Sequence, residues 1–214
     1  MWRRIFIILL TLLLSAGCLD SPIRPETIPP TISPIEGADI DHVPIYTFSF
    51  GDREEMIRVD VDPAIYAGAK DADKRLCLYS DLSEEEWIPI YYLAFADDPQ
   101  QESFYTDLIA AFRDIKDREG LDDDRYLEMV TAFVQSIPYG TDDSNTEPKF
   151  PVETYVDEEG DCDDKSLLLA GLLAREGYQV ALLYFGEEKH MAVGVGSAGC
   201  HYRDTSYAYI ETTN

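Results

Sequence analysis

In the segment VDEEGDCDDKSLLLAGLLAREGY, Val156 to Tyr178, one cysteine stands between aspartates at the head of a leucine run. A thiol in the first turn of a buried helix meets the positive end of the dipole and N–H groups with no partner inside the helix. Both favour a thiolate and can hold an oxyanion, so the chemistry on offer is nucleophilic attack on a carbonyl. Asp163 and Asp164 oppose it, because adjacent negative charge disfavours another anion, and a cationic partner must compensate. The chain has three histidines. His42 falls in a proline-rich stretch and His201 follows Cys200 in an expected turn, whereas His190 opens the apolar run HMAVGV. His190 is therefore the candidate base, with His201 next in line.

In the following run, YAYIETT, Glu211 offers a carboxylate that could hold the second imidazole nitrogen and fix its tautomer, with Asp204 as the alternative acid. Strand parity puts His190, Ala192 and Gly194 on one face, where the small residues would let the leucine helix approach closely. Glu211 shares a face with Tyr207 and Tyr209, so it meets His190 only if that tyrosine face is the one turned to the helix. For the oxyanion the donors are the Cys162 N–H and a second group, Gln135 or Tyr139. DEEGDCDD lacks the acid spacing of a calcium loop and a second cysteine or histidine for zinc, so no metal and no cofactor is expected.

The elements that must position these residues are legible from periodicity. SLLLAGLLAREGY is apolar nearly all round, as a buried helix is, and Gly177 is placed to end it. YQVALLYFG, HMAVGVG and SYAYIETT are short β-branched and aromatic runs between turn residues, and predict an antiparallel sheet. Upstream, SEEEWIPIYYLAFAD opens with Ser83 and Glu86 at capping-box spacing. QESFYTDLIAAFRDIKDREG and LDDDRYLEMVTAFVQSIPYG each carry one apolar stripe, the latter stopping at Pro138, with loop expected from there to Gly160. IYTFSFGDREEMIRVDVD alternates on either side of Gly51 and Asp52, as a hairpin does. The class is α+β.

The N-terminus reads as an address. MWRR, the ten-residue apolar stretch Ile5 to Leu14 and the small residues before Cys18 form a secretion signal, too short to span ~30 Å of hydrocarbon comfortably. LSAGC resembles the lipobox of exported lipoproteins, in which the cysteine is lipidated and becomes the new N-terminus; an uncleaved signal anchor is the alternative. From Ser21 to Pro44 six prolines and no periodicity suggest a tether. The expected organisation is thus signal peptide 1–18, tether 19–44, an N-terminal α/β extension 45–120 and a core 121–214, on the extracytoplasmic face of the cell membrane. Cys77, Cys162 and Cys200 then remain, an odd number, with a Cys77–Cys200 bridge open. Forty-two acidic against seventeen basic residues give a formal net charge of −25, which repels phosphate backbones and excludes nucleic acid as a partner.

GDCDDKSLLLAGLLAREGYQVALLYFG, then HMAVGV, then an acid near the end of the next strand, together resemble the transglutaminase-like superfamily, whose fold is related to papain-like cysteine proteases. The resemblance covers roughly residues 121–214. It implies a cysteine-bearing helix packed on an antiparallel sheet, with Cys162 as nucleophile, His190 as base and acid, and Glu211 orienting the histidine. Met191 and Ala192 stand where the family commonly has an aromatic strand, and Glu211-Thr212-Thr213 where it has acid-Pro-Thr. The implied activity is thiol-dependent acyl transfer, in the first place hydrolysis of protein or peptide carboxamides outside the cell. A catalytically silent peptide-binding module and a true transglutaminase joining protein amines are the alternatives.

Overall fold

The computed structural model describes residues 6–10, 27–140 and 147–213. The leucine run forms a helix whose apolar positions leave nothing for solvent: Leu167 to Ala170, Leu172 and Leu173 are all at most 1 % exposed. Each such leucine contributes about 1.5–3 kcal/mol of transfer free energy, so this helix has to sit at the centre of the molecule.

The strands in chain order are β1 (Phe6–Leu10), β2 (Thr27–Ile28), β3 (Tyr46–Phe50), β4 (Arg53–Ile57), β5 (Cys77–Leu78), β6 (Val180–Phe185), β7 (His190–Gly196) and β8 (Tyr207–Ile210). The helices are α1 (Pro63–Asp71), α2 (Glu84–Ala96), α3 (Glu102–Glu119), α4 (Asp123–Ser136), α5 (Pro151–Val156) and α6 (Cys162–Arg175), the last being the leucine helix. The main sheet has the order β1-β6-β7-β8 with every pairing antiparallel, and β3–β4 and β2–β5 form two further ribbons. The protein is mixed α+β, with the sheet packed on helices as the run lengths require.

Local signals act as physical chemistry dictates. The Ser83 N–H donates to the Glu86 carboxylate at 2.9 Å to start α2, and Asp122 caps α4 by accepting from the Arg125 N–H at 2.9 Å. Gly177 has φ +84°, a left-handed conformation that a side chain would resist, and lets the Tyr178 N–H close onto the Leu173 carbonyl at 3.0 Å. The β3–β4 hairpin turns at Gly51, as its alternation predicts.

Four findings lie outside the periodic elements. The segment before Gly160 is not all loop: α5 starts at Pro151, and its Tyr155 hydroxyl accepts from the Val59 N–H at 2.9 Å. From Thr27 onward the proline-rich segment is not a free spacer. The Asp98 carboxylate holds the Thr31 hydroxyl at 2.8 Å and the Ile32 N–H at 2.9 Å, because extended chain without periodicity can still be pinned by side chains. One apolar cluster joins Phe48, Phe112, Phe133, Tyr155 and Leu168, so the core runs across the boundary expected at residue 120. Finally, part of the apolar N-terminal stretch, Phe6–Leu10, pairs with β6 as an edge strand and buries Ile8.

Candidate active site

Cys162 is the first residue of α6, and Asp161 caps the helix. Its carboxylate accepts from the N–H groups of Asp163 at 3.1 Å and Asp164 at 3.3 Å, while Asp164 returns the bond to the Asp161 N–H at 3.2 Å. The cap thus consumes two of the amides that a helix start would offer an oxyanion. Among the described residues the Cys162 N–H is not engaged by it. The thiol points to the β6–β7 turn and donates to the carbonyl of Lys189 at 3.9 Å. Lys189 has φ +50°, an uncommon conformation for a lysine, and immediately precedes His190. No hydrogen bond runs between the thiol and the His190 ring among the described residues.

His190 opens β7, and its partner is the expected one: Nε2 lies 3.1 Å from Glu211 Oε2 and 3.3 Å from the Tyr209 hydroxyl. The pairing of Val193 with Ile210, carried one step on, sets Glu211 against Ala192 and diagonal to His190, within side-chain reach. The Glu211 oxygens divide their work. Oε1 accepts from the Thr212 N–H (3.0 Å), the Thr213 N–H (3.1 Å) and the Thr213 hydroxyl (2.8 Å), and Oε2 accepts from Tyr209 (2.7 Å) and faces His190. Burial would raise this carboxyl, but the bonds from Tyr209 and Thr213 and the imidazole beside it hold it down at about 2. An ionised Oε2 must accept a proton from Nε2, which leaves the Nδ1 lone pair as the basic one. Asp204 is exposed and lies elsewhere in the β7–β8 loop, where the His201 ring is 2.8 Å from the Ser197 carbonyl.

The face of β7 that carries His190 is not the one turned to α6. Met191, Val193, Val195, Val180 and Leu182 pack with α6, whereas Ala192 clusters with Leu183, Phe185 and Tyr202 on the other side. A side chain at Gly194 would strike the Tyr207 ring and Leu183, not the helix. His190 and Glu211 therefore meet on the sheet face turned away from α6. There an aromatic layer surrounds them: Phe185 stacks on His190 with centroids 6.0 Å apart, and Tyr202 packs on Tyr209 at 5.1 Å. Ala192 and Gly194 make room for that layer. Parity says which residues share a face, and it is silent on which face the helix covers.

The electrostatics of the helix start also reverse the expectation. Burial, then the charges of Asp163 and Asp161, push the thiol up to about 11, outweighing the bonds it receives from the Met191 and Asp163 N–H groups. Burial, then a hydrogen bond with Asp161, raise the Asp163 carboxyl to about 9, which favours its protonated form at neutral pH. Burial, then Asp161, lift Asp164 to about 6, against a 2.6 Å bond from the Lys149 N–H. The helix dipole thus loses to the thiol's burial and to the charges of Asp163 and Asp161.

Asp161, Cys162 and Asp163 bring their ligand atoms within 4.8 Å of one another, a mixed set of two hard carboxylate oxygens and one soft sulfur. Beside them opens a cavity of about 580 Å³, walled by Lys70, Lys74, Lys149, Glu153, Asp161 and Asp164; neither Cys162 nor His190 lines it.

Of the two side-chain candidates for the oxyanion, the Gln135 amide donates to the Glu211 carbonyl at 2.7 Å and so holds the acid's backbone. Tyr139 is exposed and stands by the thiol, where burial and then the Cys162 charge raise its phenol. Its backbone bridges to Gly160 just before the cap. Cys77 and Cys200 are free and exposed, without the bridge that was open between them, and Cys18 lies outside the described residues. Comparison with family models, with curated proteins and with solved structures yields no match to this chain.

Proposed function

We propose that this protein is a thiol-dependent acyl-transfer hydrolase of the transglutaminase-like type, acting on protein or peptide carboxamides. The observation that carries the reading is the His190 Nε2–Glu211 Oε2 contact, set one residue beyond the carbonyl that the Cys162 thiol touches. With Nε2–H given to Glu211, Nδ1 takes the thiol proton as sulfur forms its bond to the substrate carbonyl carbon. Because the resting thiol is held near 11, proton transfer and attack belong to one step, and no thiolate is stored beforehand.

The oxyanion is held by the Cys162 N–H and Tyr139. The C–N bond then breaks as Nδ1–H protonates the leaving ammonia or amine. Water, deprotonated by the same nitrogen, cleaves the thioester and restores the thiol; an amine in place of water would make the reaction transamidation.

Replacing Cys162 by serine should abolish ammonia or amine release from carboxamide peptides while leaving the melting temperature nearly unchanged. Full retained release would sink the mechanism. A silent peptide-binding module is the second reading, favoured by the raised thiol and its bond to Lys189 rather than to the imidazole.

The extracytoplasmic, lipid-anchored address belongs to the same proposal, with the membrane reached through Cys18 and the substrate outside the cell. No helix of the described residues is long and apolar enough to cross a membrane. Cleavage before Cys18 would remove β1 and open the outer edge of β6. Cys18→Ala should move the protein from the membrane to the soluble fraction; retention with an intact N-terminus would instead support an uncleaved anchor.

A further inference from the structure

Helix α6 carries a hydroxyl where its neighbours are leucines. Ser166 lies one turn along from Cys162 and is fully buried. A serine inside a helix commonly bonds back to its own i−4 carbonyl. This one reaches outward, donating to the Met191 carbonyl at 3.2 Å and standing 3.0 Å from the Thr212 hydroxyl, which is also fully buried. Ser166 has one proton to give and the Met191 carbonyl can only accept, so the Thr212 hydroxyl must donate to Ser166 Oγ. The chain of bonds runs from Thr212 through Ser166 to Met191.

Its two ends are the residues that follow the acid and the base. Met191 is bonded to His190 and Thr212 to Glu211, and both lie on the helix side of the sheet while the ring and the carboxylate lie on the other. A second line reaches the same place. The buried Lys165 donates to the carbonyls of Ile137 at 2.8 Å and Gln135 at 3.2 Å, and the Gln135 amide holds the Glu211 carbonyl at 2.7 Å. Two consecutive residues of α6 thereby hold the chain at the acid, Ser166 through the Thr212 hydroxyl and Lys165, by way of Gln135, through the Glu211 carbonyl.

We infer that Ser166 and Thr212 are positioning residues: a buried hydroxyl pair that registers His190 and Glu211 to each other and to the helix bearing Cys162. Neither touches reacting atoms. The inference rests on the catalytic reading only for its effect on turnover. Its structural content is that the single Nε2–H tautomer of His190 depends on this pair, through the placing of Thr212 and the Glu211 carboxylate it folds back to meet.

The test is Thr212→Val, which keeps the shape and removes the hydroxyl, with Thr212→Ser as the conservative restoration. Ser166→Ala serves as a second variant should valine fail to fold. The His190 tautomer is read by ¹⁵N NMR, and turnover, where found, is split into kcat and KM. The expected result is a folded Thr212→Val protein whose imidazole no longer holds one Nε2–H form. Its kcat should be lower by on the order of 10- to 100-fold with KM little changed, since small misplacements of reacting groups cost rates of that order. Thr212→Ser should restore both. An unchanged His190 tautomer in Thr212→Val or Ser166→Ala, or a loss that serine fails to restore, overturns the inference. A wild-type protein with the ordered tautomer, lost in Thr212→Val but without turnover in either, would reject the catalytic proposal and leave the positioning pair standing.

Discussion

The two halves of the site are both acidic, and they treat their carboxyl groups in opposite ways. At the end of β8, Glu211 is met by five neighbours, the Thr212 and Thr213 N–H groups, the Thr213 and Tyr209 hydroxyls and the His190 ring, and it stays ionised down to about pH 2. At the start of α6, the half-buried Asp163 beside Asp161 is raised to about 9, and the thiol between them is raised to about 11. What separates the two is the supply of donors: burial raises every carboxyl, and only a sufficient number of N–H and O–H groups reverses it. Net charge alone would have treated them alike.

The largest effect expected from this contrast lies on the Glu211 side. Glu211→Gln removes the anion that fixes Nε2–H, and should slow turnover by on the order of 10²-fold while Cys162 remains open to alkylation. Equal turnover in the glutamine variant would show that hydrogen bonding alone positions the ring. Asp163→Asn should act more mildly, and chiefly at alkaline pH. In a His190→Gln background, where alkylation rises only with the thiol's own titration near 11 and Asp163 is ionised, removing that charge should move the rise to lower pH.

The same variant has a stability signature. The Asp163 carboxyl is raised from ~4 when unfolded to about 9 when folded. Its contribution is fully present below pH ~4 and is lost as pH climbs through 9. Melting temperatures of wild type and Asp163→Asn should therefore diverge in favour of the variant between pH 5 and pH 9, and parallel curves would reject the raised Asp163 carboxyl. The smallest effect should come from Asp204→Asn, whose exposed carboxylate lies away from His190; a loss of turnover there matching that of Glu211→Gln would displace the acid.

Periodic features of the molecule were legible in the sequence because they depend on neighbours along the chain. The leucine run, the stripes of α3 and α4, the β3–β4 hairpin and the Ser83 capping box are of this kind, as are Cys162 at a helix start and Glu211 one strand beyond His190. The features that were not legible depend on neighbours in space. Which side of β7 faces α6 is set by Val180 and Leu182 on the adjacent strand, and the parity of HMAVGV is compatible with either. The helix dipole favours a thiolate at Cys162, whereas the thiol's own burial and then the charges of Asp163 and Asp161 beside it raise it instead. The pinning of Thr31 and Ile32 by Asp98 spans more than sixty residues, and no local pattern announces it. Ser166 could have drawn notice as the one hydroxyl in an apolar helix, though its partners Met191 and Thr212 could not have been read from it.

The most direct measurement is the pH dependence of Cys162 alkylation by iodoacetamide, compared between wild type and His190→Gln. If His190 serves as the base, the wild-type rate at pH 7 should stand on the order of 10² or more above that of the variant, and the variant should react only as pH approaches 11. Superimposable curves, both rising only at that alkaline limit, would mean that Cys162 and His190 do not act together and that the site is not a nucleophilic one.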